Sequence, residues 1–180
     1  MTTEAAQCFA VVHPDLIYIQ ITAWATVGLV IATIGMIVWQ IKSTKSVAKV
    51  HLSMQFMDQY DSMQMRANRQ SLASLLLQDR IPGARAMEPI LDVLETVADF
   101  HQRKWLDASL VENAFSVPAR YWWRALESHI TKMRSEYQDD TIYEMFQQLA
   151  NQYNAAGLAQ RRAPTISEES LRVFLTSEAA

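Results

Sequence analysis

Residues 16–41 read LIYIQITAWATVGLVIATIGMIVWQI, and this stretch decides the fold. It contains no Asp, Glu, Lys, Arg or His; Asp15 precedes it and Lys42 follows it. As an α-helix rising about 1.5 Å per residue it reaches roughly 39 Å, more than the ~30 Å hydrocarbon core of a bilayer. It is therefore long enough to span with some tilt. Gln20 and Gln40 sit near its ends, and Thr22, Thr26 and Thr33 can return their hydroxyls to carbonyls of the preceding turn. Tyr18 and Trp39 lie at opposite ends, as interfacial aromatics do, whereas Trp24 lies deeper. A buried helix of a soluble domain is usually shorter. A cleaved signal peptide has a basic start and a short apolar region, but no Lys or Arg occurs before Lys42. The stretch is predicted to be a single transmembrane helix at 15–41, behind a short leader at 1–14.

The charges orient it. All sixteen Lys and Arg residues follow Ile41, while Glu4 and Asp15 are the only acids before it. Sixteen bases against seventeen acids leave the region after the span at a net charge of −1, with His neutral. Such a balance carries no nucleic-acid signature. Lys42, Lys45 and Lys49 crowd the C-terminal end of the span, on a similar helix face; they most simply set its topology, with contact to anionic headgroups as the other reading. By the positive-inside rule they place the following domain in the cytoplasm and the leader outside. The single cysteine, Cys8, excludes an intrachain disulfide.

Downstream the pattern is all-α. Neither Pro nor Gly occurs between Lys42 and Arg80, so a long juxtamembrane helix is expected over 42–78, with a candidate break near 60–62. Val47, Val50, Met54 and Met57 mark its expected apolar face. Pro82-Gly83 signals a loop over 78–87. A helical bundle is expected over 88–157, its first helix opened by Glu88-Pro89 and carrying Ile90, Leu91, Val93, Leu94, Val97, Ala98 and Phe100. Asp107 or Ser109 is expected to cap a short helix, and Pro118 to sit in the first turn of a further one. Thr141 and Glu144 have capping-box spacing before the next, which Gly157 would stop. Residues 158–180 read as a linker and a short amphipathic helix that docks on the domain, a partner or the membrane.

Three sets of residues are singled out. Ala25, Gly28, Ala32 and Gly35 form a small-residue stripe that lets two helix backbones approach in lipid. Glu95, on a largely apolar helix, is expected to pair with Arg120 or Arg124 and so fix two helices; full exposure of all three is the competing reading. Trp122 and Trp123 point in different directions, one toward the core and the other toward the rim or a partner surface. The acids Glu88, Asp92, Glu95 and Asp99 line one helix face, most simply a solvated one. No chemistry is legible. The four His residues are scattered, HExxH and CxxC are absent, and no Gly-rich phosphate loop exists. No catalytic residue, cofactor, metal or small-molecule substrate is nominated.

The pattern LDVLETVADFHQRKWLDASLVENAFSVPARYWWRALESHI, followed by an Arg and a helix containing YEMFQQLA, spans 91–149. It resembles a bacterial family of membrane-anchored helical proteins catalogued only as a domain of unknown function. The resemblance implies the fold and the topology, and no catalytic residues. The expected function is a single-pass scaffold that presents its cytoplasmic domain to a protein partner and self-associates, or contacts another membrane protein. An oligomeric membrane effector, acting in stress or phage response, is the alternative. A pore would need a continuous polar helix face, and the span offers little of one.

Overall fold

A computed structural model describes residues 14–159 and 165–180, with side chains over 23–156 and 165–180. The leader with Cys8, and Arg161, Arg162 and Pro164 of the linker, lie outside the described residues. Among the described residues six helices follow in order: α1 Pro14–Tyr60, α2 Met63–Leu77, α3 Ala84–Gln102, α4 Ala108–Tyr137, α5 Glu144–Ala159 and α6 Glu168–Ala179. No strand occurs among the described residues. The chain divides into two units, one ending at Lys45 and the other covering Ser46–Ala180.

In the first unit, every described side chain is exposed. Trp24, Leu29, Ile31 and Met36 have no intrachain cover. Thr33 donates its hydroxyl to the Leu29 carbonyl at 2.8 Å, the local bond expected of a Thr in an apolar helix.

The second unit has its own core. α3 packs against α5 and α2, α4 against α5, and α6 lies against α2 and α4. On α3 the predicted apolar face is the buried one: Ile90, Leu91, Leu94 and Val97 are fully enclosed. On α4, Val111, Phe115, Ala119, Trp122, Leu126 and Ile130 recur every three or four residues and are all buried. This unbroken stripe explains why α4 is one helix of 30 residues rather than two, with Pro118 inside it. A mid-helix Pro costs about 3 kcal/mol, whereas each fully buried large apolar side chain returns ~1.5–3 kcal/mol. Phe115 before it and Trp122 after it outweigh it.

Other boundaries shift for identifiable reasons. The break at Asp61–Ser62 is real, and Ser62 caps α2 by accepting the Met65 N–H at 3.2 Å. α3 begins at Ala84, four residues earlier than the Glu88-Pro89 signal suggested, so Pro89 lies in its second turn. Three helix ends use left-handed residues without glycine: Asp79, Lys104 and Gln138, with φ of 53°, 60° and 53°. At the first two, paired bonds from Asp79 and Arg80, and from Lys104 and Trp105, return to the last-turn carbonyls. α5 continues through Gly157. α6 starts from Ser167, whose side chain exchanges capping bonds with Ser170. It docks on the domain through Leu175 and Phe174, while Val173 faces out.

The buried face of α1 beyond Lys45 differs from the expected one. Val47 and Met54 are exposed, whereas Val50 and Met57 of the expected face are partly buried, Met57 against the core. Ser53 and Tyr60 are the buried positions, with Phe56 partly buried between them. A polar Ser hid this face from a reading based on apolar spacing. Its hydroxyl donates to the Lys49 carbonyl at 2.8 Å and accepts the Asp107 N–H at 2.9 Å.

Candidate functional site

Glu95 does not form the expected ion pair. It projects from α3 to the start of α5, where Oε2 accepts the Phe146 N–H at 2.7 Å and Oε1 the Met145 N–H at 3.2 Å. A carboxylate at this helix N-terminus satisfies two orphan donors and meets the positive end of the helix dipole. The expected Thr141–Glu144 box is absent because α5 begins only at Glu144. Thr141 instead donates its N–H and hydroxyl to Asp139, and Tyr143 turns the chain with φ 57°. Burial raises the Glu95 pKa more than the two N–H bonds and the Arg134 charge lower it, and Asp99 adds to the rise.

The arginines serve elsewhere. Arg120 is buried and its Nε donates to Asn154 Oδ1 at 2.7 Å, joining α4 to α5. Arg124 is exposed and lies 3.6 Å from Glu127 and 3.8 Å from Glu168. Arg134, which the sequence reading passed over, is the arginine whose charge acts on Glu95. Its Nε donates to the Ile142 carbonyl at 2.9 Å and Nη1 to Gln147 at 2.8 Å, closing the α4–α5 turn. Of the acidic face, Asp92 accepts the Tyr143 hydroxyl at 3.2 Å and Asp99 pairs with Arg103 at 2.8 Å.

Neither tryptophan forms a partner surface. Trp122 and Trp123 are both buried, packing edge-on against Phe174 and Phe146 respectively. They can diverge and still be enclosed because α5 and α6 cover different sides of α4. Trp122 Nε1 donates to the Tyr60 hydroxyl at 3.1 Å. Burial pushes the Tyr60 pKa up to about 12, so that hydroxyl stays neutral. The Arg69 guanidinium sits 4.1 Å from the Tyr60 ring centre and its Nε lies 3.2 Å from Glu178 of α6. That approach is off the hydrogen-bonding direction, so the pair is Coulombic.

A cleft of about 560 Å³ in the second unit is bordered by Lys49, His101, Lys104, Leu106, Asp107 and Gln148. His101 keeps a buried Nδ1 without a partner, and burial lowers its pKa, favouring the neutral ring. The Asp107 carboxylate is occupied in capping α4, accepting the Ser109 and Leu110 N–H groups, both at 3.1 Å. No group of three metal-ligating side chains occurs among the described residues.

In the first unit, Gly28 and Gly35 are open: a Cβ added at either would meet nothing within 4 Å. Ala25 and Ala32 are exposed beside them, as are Lys42 and Lys45. Lys49 is partly buried at the cleft.

The molecule thus combines a helix long and apolar enough to span a membrane, near its N-terminus, with an all-α domain. A family model described as a domain of unknown function, DUF4760, matches residues 22–153, and the chain belongs to that family. The match takes in the apolar helix from Thr22 onward and the bundle as far as Tyr153, and stops before α6. Neither a curated protein nor a solved structure matches the chain.

Proposed function

We propose that residues 16–41 cross a bacterial inner membrane and that the protein is a single-pass, self-associating scaffold. Its helical domain would face the cytoplasm and engage a protein partner, with no catalytic role. One observation carries the anchor. The most apolar window of α1 is buried nowhere in the chain, although its mean hydropathy is 1.8. An uncovered apolar surface of this size calls for lipid or a partner, and the second unit already has a closed core of its own. Lys42, Lys45 and Lys49 support the cytoplasmic orientation. The open stripe at Ala25, Gly28, Ala32 and Gly35 supports close helix pairing.

The test is alkaline extraction of membranes that hold the full chain, combined with protease access to tags at each end. Retention in the membrane, with the C-terminal tag protected in intact cells, is expected. Release by carbonate ends the anchor reading, and an externally cleaved C-terminal tag ends the orientation. The membrane-effector alternative predicts collapse of a membrane-potential dye signal on expression. The scaffold predicts none. Between Ala23 and Trp39 the only polar non-aromatic side chains are Thr26 and Thr33, which supports the scaffold.

A further inference from the structure

α6 sits in a groove between α2 and α4 that it does not fill. The walls of the groove lie inside the family match and its occupant lies outside it. Leu171, Phe174, Leu175 and Glu178 of α6 recur at i, i+3, i+4 and i+7, the spacing by which an amphipathic helix engages a groove. α4 supplies an aromatic wall: Phe174 stacks on Tyr121 with ring centres 4.8 Å apart and meets Trp122 edge-on at 5.5 Å. α2 supplies the charge. Arg69 is buried, 9 % exposed, and its Nε lies 3.2 Å from Glu178, whereas Asp61 lies farther off at 4.0 Å.

α6 holds this place lightly. Leu175 is its one buried side chain, and Leu171 and Phe174 are partly buried, whereas α3 encloses Ile90, Leu91, Leu94 and Val97 completely. A gap of about 170 Å³ runs along the seam, bordered by Leu76 and Leu77 of α2, Ala125 of α4, and Leu171 and Leu175 of α6. Atoms facing a gap lose the packing contacts that a filled core supplies. The Arg69 Nε has no hydrogen bond although a carboxylate lies beside it. The start of α6 draws its capping bonds from within, since Ser167 and Ser170 bond each other's backbone N–H. An element with few buried apolar contacts opens at a lower free energy than the domain as a whole.

We propose that the α2–α4 groove is the docking site for an amphipathic helix of a partner protein, and that α6 is its intramolecular occupant, displaced on binding. The groove defines the chemistry of that helix. It carries an aromatic at i+3 against Tyr121 and Trp122, a leucine at i+4 and a carboxylate at i+7 against Arg69. At i it carries a side chain larger than leucine, which fills the gap. The proposal rests on the scaffold reading for the existence of a protein partner, and uses neither the span nor its orientation.

The test uses the full chain in detergent, with a fluorescein-labelled peptide of residues 165–180 as probe. Weak binding by the unaltered chain is expected, because its own α6 competes. Phe174→Ala with Leu175→Ala in the chain should tighten peptide binding at least tenfold. In the peptide, Glu178→Lys should weaken binding at least tenfold and Leu171→Phe should strengthen it. The unaltered chain gives a second readout by hydrogen exchange. Excess isotope-labelled peptide should speed exchange of the resident α6 amides while those of α3 and α5 keep their protection. A substituted chain that retains α3 and α5 protection but binds no peptide overturns the proposal. So does equal binding of the Glu178→Lys peptide, or opening of α6 only in step with α3 and α5. If excess peptide instead dissociates oligomers of the chain itself, the occupant in trans is a second copy and the partner-helix assignment fails. The scaffold reading fails by other signs, release by carbonate or a collapsed membrane potential, and neither depends on the groove.

Discussion

The carboxylate of Glu95 accepts the backbone N–H of Phe146 at 2.7 Å, so a side chain of α3 caps α5 from 51 positions away. A local capping box stabilises its own helix. Glu95 instead makes the start of α5 conditional on the position of α3. Removing it leaves the Met145 and Phe146 N–H groups without their acceptor. Glu95→Ala should therefore lower unfolding free energy by about 2 kcal/mol, read by urea denaturation of the detergent-solubilised chain. Glu95→Gln keeps one carbonyl oxygen and should cost less.

The pH response follows from the sign of the Glu95 shift. Burial raises its pKa above the ordinary 4.5, so the folded state holds the proton more tightly than the unfolded chain does. The stability linked to that proton is fully present below about 4.5 and is lost as pH rises through the folded value. Glu178, also raised by burial, acts in the same direction. His101 acts oppositely, because its pKa is lowered: its contribution is present above 6.5 and is lost as pH falls through the folded value. Stability measured upward from pH 4 should fall less steeply in Glu95→Gln than in the unaltered protein. Parallel curves would show that the carboxyl does not titrate with folding.

Tyr60 and Trp122 offer a separate test. Tyr60→Phe removes the acceptor at 3.1 Å and leaves the indole N–H buried without one. A loss of about 1–3 kcal/mol is expected. Adding Trp122→Phe to Tyr60→Phe should cost less than the two single losses summed, because the hydrogen bond can be lost only once. Strict additivity would show that the bond contributes nothing.

Much of this fold is written in spacing. The face of α3 from Ile90 to Phe100, the core positions of α4 and the break after Tyr60 all follow from apolar periodicity and the polar junction. What spacing could not supply is which polar group meets which. Glu95 looked like the partner of an arginine because a carboxylate near a core boundary needs a donor, but two backbone N–H groups supply that need. Ser53 lies off the apolar spacing of Val47, Val50, Met54 and Met57, yet it is buried and its hydroxyl holds Asp107. The Trp pair looked divided between core and rim because covering both takes two helices, and the second, α6, follows a linker whose path no local pattern specifies.

Arg69 ties α6 to the rest of the domain. It is largely buried between the Tyr60 ring and Glu178, itself mostly shielded from solvent. Arg69→Met retains much of the side-chain volume but leaves Glu178 without its countercharge. Breaking one side of such a pair costs about 3–5 kcal/mol when burial is complete, and about 2 kcal/mol is expected here. Hydrogen exchange should locate the loss: α6 amides should exchange faster while those of α3 and α5 keep their protection. A uniform rise across the domain would mean that α6 opens only with global unfolding.

The span carries the last prediction. Within one chain, a side chain at Gly28 or Gly35 has open space, since a Cβ there meets nothing within 4 Å. Leu at either site therefore introduces no internal clash and is a better helix former than Gly. Any loss it causes in a bilayer has to arise between chains, where added bulk separates two backbones that small residues allow to approach. Gly28→Leu with Gly35→Leu should weaken energy transfer between labelled copies in vesicles by about tenfold in apparent affinity, or ~1.4 kcal/mol. Leu at Val30 and Ile34 should leave that transfer unchanged if pairing uses the small-residue face. Equal transfer in all variants would remove the stripe as the pairing surface and leave the anchor intact.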